Sequence, residues 1–135
     1  MDSEGLADLF WGVARRLRHR TRESLLPWEI TPSQARALTV LMRHSPRRLS
    51  DLAEHLHIAP RSATEVVDDL QELGLIRRQP DPADRRAVLV SLTDAGVEAG
   101  EAIQIARRAE AEHFFATLDA ADRDDLDRIL RKLRD

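Results

Sequence analysis

The feature that most constrains this chain is a change of hydrophobic period at Gly74. Before it, apolar residues recur at three- and four-residue steps, the spacing that lines one face of a helix. After it, Leu75-Ile76-Arg77-Arg78-Gln79 and Ala87-Val88-Leu89-Val90-Ser91-Leu92 change to a period near two, as half-buried strands do. Between the two runs lies Pro80-Asp81-Pro82-Ala83-Asp84, a turn-forming segment. The helical period resumes after Thr93. A mostly α fold with one small β-hairpin is therefore expected, the hairpin projecting as a wing from a helical body.

Local signals divide the helical parts. Leu6, Leu9, Phe10, Val13 and Leu17 form the stripe of a first helix that should end near Pro27, since proline lacks the donor that continues the ladder. Thr31-Pro32 opens a second helix as N-cap and first helical residue, with Ala35, Leu38, Thr39 and Met42 inward and Pro46 as its stop. Two short patterns follow. Ser50 is expected to cap a helix carrying Leu52, Ala53 and Leu56 inward. After the break His57-Ile58-Ala59, Pro60 begins another with Ala63, Val66, Val67, Leu70 and Leu73 inside. Gly74 supplies the left-handed residue that ends it. Two short helices joined by a tight turn form a helix-turn-helix. Beyond the hairpin, Thr93 caps a long helix through Val97, Ile103, Ala106 and Ala109 toward Phe114, and Asp119 opens a last one bearing Leu126, Ile129, Leu130 and Leu133.

Composition narrows the function. At 135 residues, with 42% apolar and 33% charged side chains, one soluble domain spanning 1–135 is expected, and no apolar run approaches the roughly 20 residues of a membrane span. Met1 to Gly5 lacks the marks of a secretory or transit leader, so a cytoplasmic protein is expected. The absence of cysteine removes disulfides, thiolate metal sites and thiol redox sensing. With aromatics at only 4%, a platform for stacking single-stranded bases has little material, and any nucleic acid bound is expected to be a duplex. The net charge of −3 opposes a polyanionic partner on average, but its distribution does not: Arg77, Arg78, Arg85 and Arg86 outnumber Asp81 and Asp84 in one short stretch. His19, His44, His55, His57 and His113 show no metal-ligand spacing, so no metal and no cofactor are expected. There is no phosphate loop, zincin motif or nucleophile elbow, and the adjacent acids Asp68-Asp69 and Asp124-Asp125 point apart on helices, so catalysis is not expected. A compact helix-turn-helix core cannot cover the apolar stripes of the terminal helices as well, which favours dimerisation through the termini over a monomeric bundle in which they fold back.

The order of elements, with Asp81-Pro82-Ala83-Asp84-Arg85-Arg86 followed by Leu92-Thr93-Asp94-Ala95-Gly96, resembles the MarR family of winged helix-turn-helix transcriptional regulators. The resemblance implies dimerisation helices in 1–30 and 94–135 and a DNA-binding region in 31–93. It also implies a homodimer on double-stranded DNA at a pseudo-palindromic operator, repressing by occupying a promoter. By the same resemblance the helix opening at Pro60 enters the major groove, with Arg61, Ser62, Thr64 and Glu65 at base edges or phosphates. Arg86 then reaches into the minor groove, Asp84 holds the wing in shape by pairing with an arginine, and Arg85, Arg77 and Arg78 serve phosphates. Glu65 departs from the basic residue common there; it either accepts from a cytosine amino group or is a solvated charge. With Asp68 and Asp69 it supports an alternative, a winged-helix protein-interaction module that does not bind DNA. Members commonly bind small aromatic or phenolic effectors, and Trp11, Arg15, His19 and Trp28 are the residues here suited to such a cleft, although both tryptophans also suit a plain core.

Overall fold

The computed structural model describes residues 5–135; the reading of Met1 to Gly5 as no leader lies, apart from Gly5, outside them. Among the described residues, six α-helices run as α1 (Leu6–Ser24), α2 (Pro32–Arg43), α3 (Leu49–Leu56), α4 (Pro60–Glu72), α5 (Asp94–Phe114) and α6 (Ala120–Arg134). Three strands, β1 (Arg47–Arg48), β2 (Ile76–Asp81) and β3 (Asp84–Leu92), form an antiparallel sheet in the order β1-β3-β2. A single 3-10 turn, Leu26–Trp28, follows α1 around Pro27. No described helix is long and apolar enough to cross a membrane.

The helix ends follow the chemistry of their caps. Thr31 and Gln34 close a capping box on α2, Thr93 Oγ1 accepts from the Gly96 amide, and Asp119 Oδ1 accepts from the Asp122 amide. Gly74 ends α4 with φ of +78°, a conformation that costs a residue without a Cβ nothing. Thr93 also donates its hydroxyl to the Gly74 carbonyl at 2.7 Å, which ties the end of α4 to the start of α5.

Three expectations are corrected. Ser50 does not cap α3: the helix starts at Leu49 from Arg48, because Arg47 and Arg48 pair with Val90 and Leu89 of β3 and hold the backbone extended up to the first helical residue. The hairpin is longer than its apolar alternation, leaving only Pro82 and Ala83 between strands that carry polar residues to their tips. Leu73 is exposed at the end of α4, where the chain turns away from the core.

The core lies between α2, α3, α4, the sheet and the middle of α5. Leu38, Leu41, Leu52, Val67, Leu70, Ile76, Val90 and Ile103 are all fully buried there. Helix α5 approaches this body closely at two glycines. A Cβ at Gly96 would collide with the Leu75 carbonyl, and one at Gly100 with the Met42 sulfur. The termini differ. Neither α1 nor α6 has a buried residue, and Leu6, Leu9, Phe10, Val13, Ile129, Leu130 and Leu133, together with Val97 of α5, stand exposed on stripes that nothing within the described residues covers.

Candidate nucleic-acid interface

Helix α4 presents its N-terminal end to solvent. Its Ala59 N-cap has no side-chain acceptor and Pro60 occupies the first turn, so the leading amides are available to an anion. The buried positions Ala63, Val67 and Leu70 fix which face is inward, and Arg61, Ser62 and Glu65 consequently face out. Thr64 is half-buried, and its hydroxyl donates to the Pro60 carbonyl at 3.0 Å. That bond commits its proton, leaving the oxygen as an acceptor only.

Two of the four acids of α4, Asp68 and Asp69, are engaged from within the chain. The Arg78 guanidinium of β2 reaches both Asp68 and Gln71, and Asp69 accepts from the Gln34 carboxamide at 3.2 Å. Arg78 is therefore not free for a phosphate, contrary to the expectation that it would serve one. Glu65 and Glu72 stay exposed.

In the wing, the arginine pairing expected of Asp84 falls to Asp81 instead. Asp84 does not pair with an arginine side chain; its Oδ1 accepts from the Arg86 amide at 3.0 Å and shapes the turn locally. Asp81 is the acid with an arginine partner: Oδ2 accepts from Arg48 Nε at 2.9 Å while Oδ1 accepts from the Ala83 amide at 2.9 Å. The Ala83 bond holds the Asp81 carboxyl below the usual carboxylate range; burial pushes the other way, and Arg48 adds to the lowering. Arg48 thus fastens the hairpin tip to the start of α3.

Among the described residues, the guanidinium groups of Arg61, Arg77, Arg85 and Arg86 have neither an ion-pair nor a hydrogen-bond partner. Pro60, Thr64 and Arg86 converge on one open cleft of about 270 Å³, whose remaining walls are Arg48, Leu49, Ser50, Ala87 and Val88. The leading end of α4 and the wing thus share one surface. Sequence reasoning missed Arg48 and Ser50 on it; the adjacent pair Arg47-Arg48 just before a helix was the available signal.

The four residues suited to an effector do not converge within one chain. Arg15 and His19, one turn apart on α1, line an open cleft of about 310 Å³ with Arg16, Arg20 and Glu23. Arg20 pairs with Glu110 of α5 at 3.2 Å, and Arg16 lies over the Phe114 ring at 5.6 Å. Trp11 is more than half exposed and stands edge-to-face with the Phe10 ring. Trp28 packs against the core, because the turn after α1 carries it inward.

Comparison with known proteins accounts for this layout. A profile described as MarR family matches residues 30–88. An HTH-type transcriptional regulator of Mycobacterium bovis is 34% identical over 123 residues, covering 91% of this chain and 80% of the relative. A MarR mutant from E. coli complexed with operator DNA superposes with a TM-score of 0.82 at 26% identity, covering 95% of this chain and 92% of that one. BpsR of Bordetella bronchiseptica, a structure concerned with regulation of DNA binding by 6-hydroxynicotinic acid, superposes at 0.83 with 26% identity, covering 100% and 96%. These relatives are regulators and not enzymes. The chain belongs to the MarR family and is a DNA-binding transcriptional regulator with the winged helix-turn-helix fold.

Proposed function

We propose that this chain is a cytoplasmic, homodimeric repressor in which residues 31–93 meet a pseudo-palindromic duplex, and 1–30 with 94–135 join two copies. Helix α4 enters the major groove with Arg61, Ser62 and Glu65 toward the bases and the Pro60 end against a phosphate. Thr64 contributes an acceptor only. Arg86 enters the adjacent minor groove, where narrowing concentrates negative potential. Arg85 and Arg77 lie toward phosphates, and Asp84 keeps the Arg86 amide, and so its side chain, in place.

The observation that carries the proposal is the shared cleft: an unpaired Arg86 and the unpaired amides of α4 open on one face. Local charge there decides the outcome against a net charge of −3, since phosphate neutralisation acts over about a Debye length. The rival reading, a protein-interaction module, drew on Glu65, Asp68 and Asp69. Two of those three are engaged within the chain, which leaves Glu65 as the one of the three without a partner among the described residues.

An aromatic acid as effector suits the Arg15 and His19 face of α1, where a fixed cation stands beside an imidazole, with Trp11 one turn further along. Trp28 has no part in it. Two-fold symmetry would bring a second copy's helices near this open cleft and enclose it.

The test is Arg86→Ala, titrated with duplexes selected by the native protein from a random pool. Operator affinity should weaken by about 1–3 kcal/mol with the thermal midpoint unchanged. Native binding should also fall steeply with log salt. A folded Arg86→Ala protein that binds like the native one would remove the wing from the interface.

A further inference from the structure

Helix α4 is seated mainly by Ala63, Val67 and Leu70, all fully buried. Apolar contact of this kind resists separation, but it is non-directional and leaves sliding and rotation weakly fixed. A directional link runs to α4 from α2. Gln34, only 9% exposed, donates from Nε2 to Asp69 Oδ2 at 3.2 Å. Among the described residues this is the sole side-chain hydrogen bond joining the two helices.

The carboxamide is not free to choose its orientation. Its Oε1 accepts from the Thr31 amide at 3.0 Å, while the Gln34 amide donates to Thr31 Oγ1 at 3.2 Å. A backbone N–H can only donate, so the carbonyl end of Gln34 must face Thr31 and the NH₂ end must face α4. Only an acceptor satisfies it there, and Asp69 is that acceptor. Body helix α2 is itself held fast, by the close approach of Gly100 of α5 to Met42 and by Arg36, which donates to the Leu56 carbonyl at the end of α3 at 3.0 Å.

We propose that Gln34 is a positioning residue for DNA recognition: its carboxamide, oriented by the α2 capping box, sets the seat of α4 through Asp69. Arg61 and Glu65 project from the same rigid helix, Arg61 about 12 Å along it from Asp69, so a change of seat is carried to the side chains at its leading end. This inference rests on the reading that α4 is the helix that meets DNA.

The polarity of the bond gives the test. Gln34→Glu preserves shape and the capping box, which accepts either residue, but sets a carboxylate against Asp69. Asp69→Asn alone keeps an acceptor for Gln34. The double variant Q34E/D69N restores the bond with donor and acceptor exchanged, at the net charge of the native chain. The readout is the ratio of affinities for pool-selected duplexes and for a random-sequence duplex at one salt concentration, with thermal midpoints recorded for every variant. Q34E should lower the ratio about tenfold, the loss expected of a charge-assisted hydrogen bond, and Q34E/D69N should recover most of it. Should Q34E fail to fold, the exposed Asp69 supplies the same comparison: Asp69→Ala loses the ratio and Asp69→Asn keeps it.

A native ratio in folded Q34E overturns the assignment, as does a double variant that stays low while D69N alone is normal. Equal ratios for Asp69→Ala and Asp69→Asn do so as well. Arg61→Ala separates this from the parent reading. If Arg61→Ala also leaves the ratio intact, the docking of α4 is wrong; if it lowers the ratio and Q34E does not, only the role of Gln34 is.

Discussion

The middle of this molecule and its two ends are built from equally amphipathic helices, yet only the middle closes on itself. Helices α2, α3 and α4 bury Leu38, Leu41, Leu52, Leu56, Val67 and Leu70 against the sheet and Ile103. Helix α1 carries Leu6, Leu9, Phe10 and Val13 and buries none of them; α6 does the same with Ile129, Leu130 and Leu133. The difference is one of partners and not of pattern. Three helices and a sheet surround a common interior, whereas a single stripe at either end needs a surface that one chain does not provide. Apolar stripes left open on this scale mark an interface, and a second copy of the chain is the economical occupant.

The sharpest way to break that contrast is to charge the ends. Leu9→Glu combined with Leu133→Glu should give a folded monomer by light scattering, with the central helices intact by circular dichroism. Its operator affinity should fall by on the order of a hundredfold or more, because the second half-site loses its effective concentration. A double variant that stays dimeric would place the interface elsewhere. One that unfolds would make the ends part of the core.

Glycine substitutions sharpen the same contrast with a smaller effect. Gly96→Ala in α5 drives a methyl group into the Leu75 backbone carbonyl, which cannot yield as a side chain would. It should cost about 1–3 kcal/mol and lower the Tm by roughly 5–10 °C. A methyl group on Gly12 of α1 would meet no atom within 4 Å, and alanine there should be neutral or gain up to about 1 kcal/mol of helix propensity. A loss at Gly12 comparable with that at Gly96 would mean that a partner's backbone approaches α1 as closely as Leu75 approaches α5.

What was legible in the sequence follows the range of each interaction. The caps Thr31, Thr93 and Asp119 and the stop at Gly74 act within four residues, and each was readable in place. Strand β1 was not, because two residues carry no period and its pairing with β3 spans more than forty positions. For the same reason Ser50 looked like a cap when the pairing of Arg47 and Arg48 had already set the start of α3. The candidate site divides likewise. Arg61 and Arg86 stood out by charge and motif, but neither the diversion of Arg78 to Asp68 nor the hold of Gln34 on Asp69 is visible without the fold. Composition offered no means of ranking Asp81 against Asp84, since the difference lies in Arg48, 33 residues away from Asp81.

The wing tip lies between the two regimes: it projects like the ends, yet it is fastened by a side chain of the body. Asp81 is the fastening, and its carboxyl is held below the ordinary range by the Ala83 amide and, against the effect of burial, by Arg48. A folded-state pKa below the unfolded value means that the contribution is present above the unfolded pKa, near 4 for an aspartate, and is lost as pH falls through the lower folded value. Protection of the Ala83 amide, its exchange rate taken relative to the intrinsic rate at the same pH, should therefore be high at neutral pH and be lost in acid, while the dimer stays intact. Asp81→Asn keeps an acceptor for Ala83 but removes the charge facing Arg48, so it should exchange faster than the native protein at neutral pH and converge with it in acid. Its cost in operator affinity should be only about two- to threefold, the scale of a partly exposed ion pair. Identical exchange in the two proteins at neutral pH would show that the hairpin tip is shaped by its own turn, through Asp84 and the Arg86 amide, and that the body does not hold it.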